Sequence, residues 1–305
     1  MPEWVIEEGI GETRAALMDD VEIVEARVRR DGIIPAGTIL EARLVSVSPR
    51  VTVEAAGEQF LLTRGVNGIS EGGRLVIEVT REALSGAEPW KRGLARRTDE
   101  APRSAPPLAE GRPGRIEGWD DLLEEARSGI VSFEGGELRI EPTSAMTMID
   151  VDGWLNPGKL AQIAAPAAAR AIRRLDLGGS IGIDFPTLRD KSARAEVDSL
   201  LDQHLAKPFE RTAMNGFGFV QVVRPRHRPS LLDLAQDRTA FEARALLRRA
   251  GRETGAVGLA AAPALVAFLE KQSDWTARLA RQVGGAVGLR ADPSLPISGG
   301  YAEPA

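Results

Sequence analysis

Two short apolar runs, each closed by an aspartate, constrain this chain most: SAMTMID ends at Asp150 and SIGID ends at Asp184. Between them a helical pattern stops at a Gly-Gly pair, so the stretch reads as strand, helix, strand. A crossover between parallel strands returns the chain to the same end of the sheet. The two carboxylates are therefore expected side by side at the strands' carboxyl ends, where open α/β sheets hold ligands. Acids so placed repel unless a cation lies between them, and a hard cation such as Mg²⁺, bound by one or two carboxylates and otherwise hydrated, suits that position. Spacing alone leaves an alternative, in which one Asp caps a helix and the other pairs with an arginine.

Three blocks of residues in order go further: EPTSAMTMIDVD at 141–152, RRLDLGGSIGIDF at 173–185 and FGFVQVVRPRHRPSL at 217–231. Together they resemble the catalytic domain of the ribonuclease E/G family of bacterial endoribonucleases. The resemblance implies a DNase-I-like α/β nuclease core over 143–229. It also implies that Asp150 and Asp184 bind a Mg²⁺ that activates water to cut single-stranded RNA. Asp152 stands where the family usually has Asn, and its expected role is to orient that water.

The first 36 residues alternate apolar and polar in PEWVIEE, ETRAALM and DVEIVEARV, which predicts an antiparallel meander turning at Asp19 and Asp20. It resembles the family's ribonuclease-H-like subdomain. Residues 37–95 hold further short strands (TILEARLVSVSP, RVTVEAAGEQFLLT, GRLVIEVTREAL) and predict a five-stranded barrel of the OB type. By position this resembles an inserted S1 domain. Such barrels bind nucleic acid by aromatic stacking and a few cations, which makes Phe60, Trp90 and Lys91 the RNA-binding candidates. Phe60 could equally be a barrel-core residue, and Trp90, in a turn beside Pro89, a surface one.

Residues 96–117 contain four prolines among charged and small residues and read as a flexible linker. Longer relatives carry a sensor for the RNA's 5′ monophosphate here, so the resemblance implies no 5′-end sensing. WDDLLEEARS then predicts a helix and IVSFEGGELRI a hairpin, read as the return of the amino-terminal subdomain over 118–142.

After Asp152 only Lys159 is basic near the start of the next helix, with Arg170, Arg173 and Arg174 on its later turns, and Pro166 is awkward in its interior. LRDKSARAEVDSLLDQHL at 188–205 predicts a polar helix carrying His204. In VVRPRHRPS an extended strand would place Arg224, Arg226 and Arg228 on one face as a rail for RNA phosphates, with His227 between them. The other reading of the triplet is a charged edge strand. Both histidines read as surface or packing residues.

Residues 230–305 alternate helix and strand around an apolar face at Phe241, Ala245 and Leu246. This unit resembles the family's small carboxy-terminal assembly domain, which implies a homo-oligomer. The chain has no cysteine, so disulfides, thiolate zinc sites and the family's Cys-x-x-Cys zinc link are excluded, and no zinc is expected. There is neither an apolar run of spanning length nor a signal-like start, so a cytoplasmic protein without a membrane partner is expected. The net charge of −5 argues mildly against a nucleic-acid coat protein, while 34 of the 39 basic residues are Arg, suited to phosphate.

The expectation is thus an α+β and α/β multidomain protein: a β subdomain with an inserted S1/OB-type barrel, a metal-dependent nuclease core and a small C-terminal α/β domain. Its expected activity is Mg²⁺-dependent endonucleolytic hydrolysis of single-stranded RNA. A second reading is an inactive RNA-binding or scaffold protein of the same fold. A nucleotide enzyme of the doubly wound class fits less well, because LGGS precedes a strand rather than opening a helix.

Overall fold

The computed structural model describes residues 1–66, 68–84, 90–272 and 274–305. Strands β1 (Glu3–Glu8), β2 (Glu12–Asp19) and β3 (Glu22–Arg30) form the expected antiparallel meander, turning at Asp20. Their alternation buries Val5, Ala16, Ala26 and Val28 against the next layer.

Five strands follow: β4 (Ile39–Ser46), β5 (Thr52–Ala55), β6 (Glu58–Leu62), β7 (Arg74–Arg81) and β8 (Gly93–Arg97). They close into a barrel in the order β4-β5-β6-β8-β7, with β6 and β8 parallel and the remaining pairs antiparallel. Leu44, Val53, Phe60, Ile77 and Val79 fill its interior.

The stretch 96–117 is not the flexible linker its composition suggested. Arg103 bridges to Ile39, Arg27 donates to the Leu108 carbonyl at 2.9 Å, and β9 (Arg112–Pro113) pairs in parallel with β1. Prolines suit such a segment because an edge strand leaves many of its N–H positions unused.

Helix α1 (Trp119–Ser128) leads into β10 (Ile130–Phe133), β11 (Gly136–Pro142), β12 (Thr147–Gly153), α2 (Pro157–Arg174), β13 (Gly179–Asp184), α3 (Lys191–His204), β14 (Glu210–Arg211) and β15 (Phe219–Arg224). The strands form one six-stranded sheet, β10-β11-β12-β13-β15-β14. The β10–β11 hairpin therefore extends this central sheet and does not return to the meander. Helix α2 lies between the two sheets, touching β3 on one side and β11 and β12 on the other. Seven of its alanines are buried, since only small side chains let a helix approach two sheets at once. It runs through Pro166, which cannot donate to the carbonyl four residues back.

Beyond α4 (Leu231–Gln236), α5 (Arg238–Ala250) packs Phe241 and Ala245 into the central core and Leu246 into a smaller one. The smaller core belongs to β16 (Val257–Ala261), α6 (Pro263–Lys271), α7 (Trp275–Val283), β17 (Val287–Ala291) and β18 (Tyr301–Pro304), a three-stranded sheet in the order β17-β16-β18. Arg248 fixes this unit to the meander with two hydrogen bonds to Glu7, at 2.7 and 3.1 Å. Among the described residues no helix is long and apolar enough to cross a membrane.

Candidate active site

Strands β12 and β13 are parallel neighbours, and their register sets Asp150 directly opposite Asp184. Alternation decides the face. Ile149, Val151, Ile181 and Ile183 point into the core, which leaves Asp150, Asp152 and Asp184 together on the solvent side. That face carries no helix, so the acids occupy an open sheet surface at the strands' carboxyl ends. Gly182 shapes the surface, because a Cβ there would meet the Phe219 ring at 2.7 Å and the Met148 sulfur at 2.9 Å. Its absence lets both side chains lie flat over β13 below Asp184.

Partial burial, then the charges of Asp152 and Asp184, raise the Asp150 carboxyl above its ordinary value. Arg139, opposite Asp150 on β11, offsets this only partly, since its guanidinium is shared with Glu137 at 2.7 Å. None of the three aspartates is ion-paired among the described residues; the Asp152 carboxylate accepts only the Gly153 N–H, at 3.1 Å. Uncompensated hard oxygens on an open surface fit a divalent cation such as Mg²⁺, which takes one or two carboxylates and keeps several waters. No group of three or more acidic or histidine side chains with metal-site geometry occurs among the described residues, so the protein supplies a sparse donor set.

The arginine triplet lies elsewhere. Antiparallel pairing of β13 with β15 matches Asp184 to Phe219 but Gly179 to Arg224, so five residues of strand, ~17 Å, separate Arg224 from the acids. The strand also ends at Arg224, and no three-residue rail forms. Arg224 donates to the Leu177 carbonyl at 2.9 Å, Arg226 pairs with Asp233 at 2.7 Å and Arg228 with Asp176 at 3.1 Å. These bonds tie β15 and its continuation to the turn after α2 and to α4. Arg173 and Arg174 are likewise engaged, by Glu25 and Glu125.

Phe60 is fully buried, its ring seated where a Cβ on Gly93 would fall, so it cannot stack on a base. Trp90 is 71% exposed and edges an open groove of about 510 Å³ that Arg50, Gln59, Leu61 and Arg92 also line. Pro89 lies outside the described residues. Lys91 is half-buried and faces a pocket of about 60 Å³ between the barrel and the central sheet, with Ser180 and Arg226 on the far wall.

Three cations stand at the acidic end of the sheet, of which the sequence alone singled out only Lys159. Arg189 and Lys191 follow β13, and Lys159 lies in the first turn of α2; all three are exposed and free of ion pairs among the described residues. The signal for Arg189 and Lys191 was position, since both come within a few residues of the strand that ends at Asp184.

The description "Ribonuclease E/G family" matches residues 117–227. Over these residues the chain is similar to members of the ribonuclease E/G family. It is 35% identical over 109 residues to Ribonuclease G of Escherichia coli (strain K12), covering 32% of this chain and 22% of that protein. Ribonuclease G of Haemophilus influenzae is 32% identical over 129 residues, 38% of this chain and 26% of the relative. The chloroplastic Ribonuclease E/G-like protein of Arabidopsis thaliana is 31% identical over 132 residues, 36% and 13% respectively. The match thus spans about a fifth of the Escherichia coli relative's length.

Proposed function

We propose that the protein is an endoribonuclease that hydrolyses single-stranded RNA with Mg²⁺ held by Asp150 and Asp184. The observation that carries this reading is the register that sets these two unpaired carboxylates side by side on an open sheet face. When bound, the cation supplies charge neutralisation for the phosphate and a lowered pKa for water. The chain's own residues divide the remaining work. Asp152 projects from the same face two residues beyond Asp150 and accepts a hydrogen bond from the attacking water, orienting it toward phosphorus. Attack in line forms the new P–O bond and breaks the bond to the 3′ oxygen, which leaves a 5′ phosphate on the downstream product. Lys159, Arg189 and Lys191 hold the neighbouring phosphates at this end of the sheet.

The barrel binds the strand away from the cut. In five-stranded barrels of the OB type the second and third strands and the loops beside them form the nucleic-acid face. The corresponding surface here is the groove of β5, β6 and the 47–51 loop, with Trp90 and Arg92 at its edge. Stacking on Trp90 requires no particular base, which suits single strands of mixed sequence.

The test is cleavage of a labelled single-stranded RNA with and without Mg²⁺. Asp150→Asn and Asp184→Asn should each reduce Mg²⁺-dependent cleavage by at least ~10²-fold while the circular dichroism spectrum stays unchanged, the usual scale for losing a transition-state charge stabiliser. Parent-like cleavage by both variants would exclude the pair as the site.

A further inference from the structure

Two large aromatic side chains stand in solvent at the end of the sheet that carries the acids. Trp154 is 79% exposed and Phe217 is 81% exposed. Neither sits on a frayed segment. Asn215 Oδ1 accepts from the Phe217 and Phe219 amides at 2.9 and 3.1 Å, and Thr187 Oγ1 donates to the Phe217 carbonyl at 3.1 Å. Gly218 completes that turn at φ +100°, where a Cβ would strike the Phe185 carbonyl at 2.2 Å. On the other side the Trp154 amide donates to the Gly135 carbonyl at 3.2 Å, and Asn156 caps α2 two residues later. The backbone thus holds both rings out of the core in hydrogen-bonded turns.

Their positions relative to the acids follow from the register. Trp154 comes four residues after Asp150, and Phe217 two residues before Phe219, the partner of Asp184. Because β12 and β15 flank β13, the two residues extend from strands on opposite sides of Asp184, whose backbones are about two strand spacings or ~10 Å apart. That separation straddles about one nucleotide of an extended strand. The surroundings are charged rather than apolar: the carboxylates between the rings suit a phosphate strand only with a cation bound to them, and the exposed cations Lys159, Arg189 and Lys191 follow β12 and β13.

We propose that Trp154 and Phe217 are a stacking pair that grips the two bases flanking the scissile phosphate of single-stranded RNA and so positions that phosphate over Asp150 and Asp184. The pair grips bases by their faces, so it selects for unpaired nucleotides without selecting a sequence. Duplex RNA is refused because its bases are already stacked on one another. This inference rests on the ribonuclease reading, and it concerns positioning rather than chemistry.

The experiment measures affinity for a fluorescein-labelled single-stranded oligoribonucleotide in EDTA, where no cutting occurs, and then cleavage in Mg²⁺. Trp154→Ala and Phe217→Ala should each weaken binding by about ten- to a hundredfold, while Trp154→Phe, which keeps an aromatic face, should bind within about threefold of the parent. An abasic nucleotide beside the scissile bond should weaken binding to the parent but bring little further loss in the matching Ala variant. Unchanged affinity in both Ala variants, or an abasic loss that simply adds to theirs, would overturn the inference. So would a change in sedimentation behaviour without a change in RNA affinity, because the rings would then serve a protein partner. If the parent binds through these rings but never cuts, the ribonuclease reading fails and the stacking pair stands. If it cuts and the Ala variants bind as well as the parent, the stacking pair fails alone.

Discussion

Arg226 and Asp150 were both candidates from the same three sequence blocks, yet the fold gives them opposite surroundings. Asp150 faces solvent beside two other carboxylates, whereas Arg226 is hydrogen-bonded to Asp233, whose carboxylate also accepts from the Ser230 amide and hydroxyl to cap α4. Removing a charge from the first should leave the fold alone and change the chemistry; removing the second should do the reverse. Arg226→Ala is expected to lower stability by about 1–3 kcal/mol, the scale of a part-buried charged hydrogen bond. Turnover at saturating RNA should stay within about twofold of the parent, because the end of the sheet that bears Arg226 is remote from the acids. Thermal melting and single-turnover cleavage separate the two effects, and a large loss of turnover with unchanged melting would return Arg226 to the site.

At the scale of elements, the barrel makes the same separation between its two aromatic candidates. Phe60→Ala removes a fully buried ring from the barrel interior and should cost about 3–5 kcal/mol, seen as an early melting transition. Trp90→Ala takes a ring off an open groove and should leave melting unchanged while weakening RNA binding severalfold, as measured by fluorescence anisotropy. What the sequence made legible was local. Alternation in 1–36 and 37–95 marked the meander strands and the barrel, and two Asp-terminated runs with a helix between them marked the parallel pair and its register. Period-2 alternation could not say which side of a barrel strand faces in, so Phe60 stayed ambiguous between core and surface. Nor could it say which sheet the β10–β11 hairpin joins, because that depends on pairing with β12, which an isolated hairpin does not encode. The Arg224–Arg228 spacing looked like a strand face, but the chain leaves the sheet at Arg224 and the next two arginines turn to partners contributed by distant segments. The 96–117 segment lacked periodicity because its partners are the meander's edge and the barrel's first strand rather than a core.

At the scale of the whole molecule, one buried acid sits at the junction of the barrel and the segment that follows the central sheet. Glu82, just past the end of β7, donates its backbone N–H to the His227 carbonyl at 2.9 Å, and its carboxyl accepts from the Ala36 amide. Burial raises that carboxyl to about 7, against the pull of Arg228 and Arg29, with Asp176 adding a like charge. Asp176 is raised as well, chiefly by burial, and shares Arg228. In the unfolded chain both acids titrate near their ordinary values, so between those values and about 7 the folded protein holds more protons than the unfolded one. Stability from this cluster is therefore fully present at acid pH and is lost as pH rises from about 4.5 through about 7. The loss from Glu82 should be of order 3 kcal/mol, because a shift from 4.5 to about 7 contributes about 1.4 kcal/mol per unit. Glu82→Gln keeps the shape and removes the titration, so its melting temperature should fall less between pH 5 and pH 8 than the parent's. If the two melting curves shift in parallel across that range, Glu82 does not govern the pH dependence, and the barrel is held by contacts that carry no titrating charge.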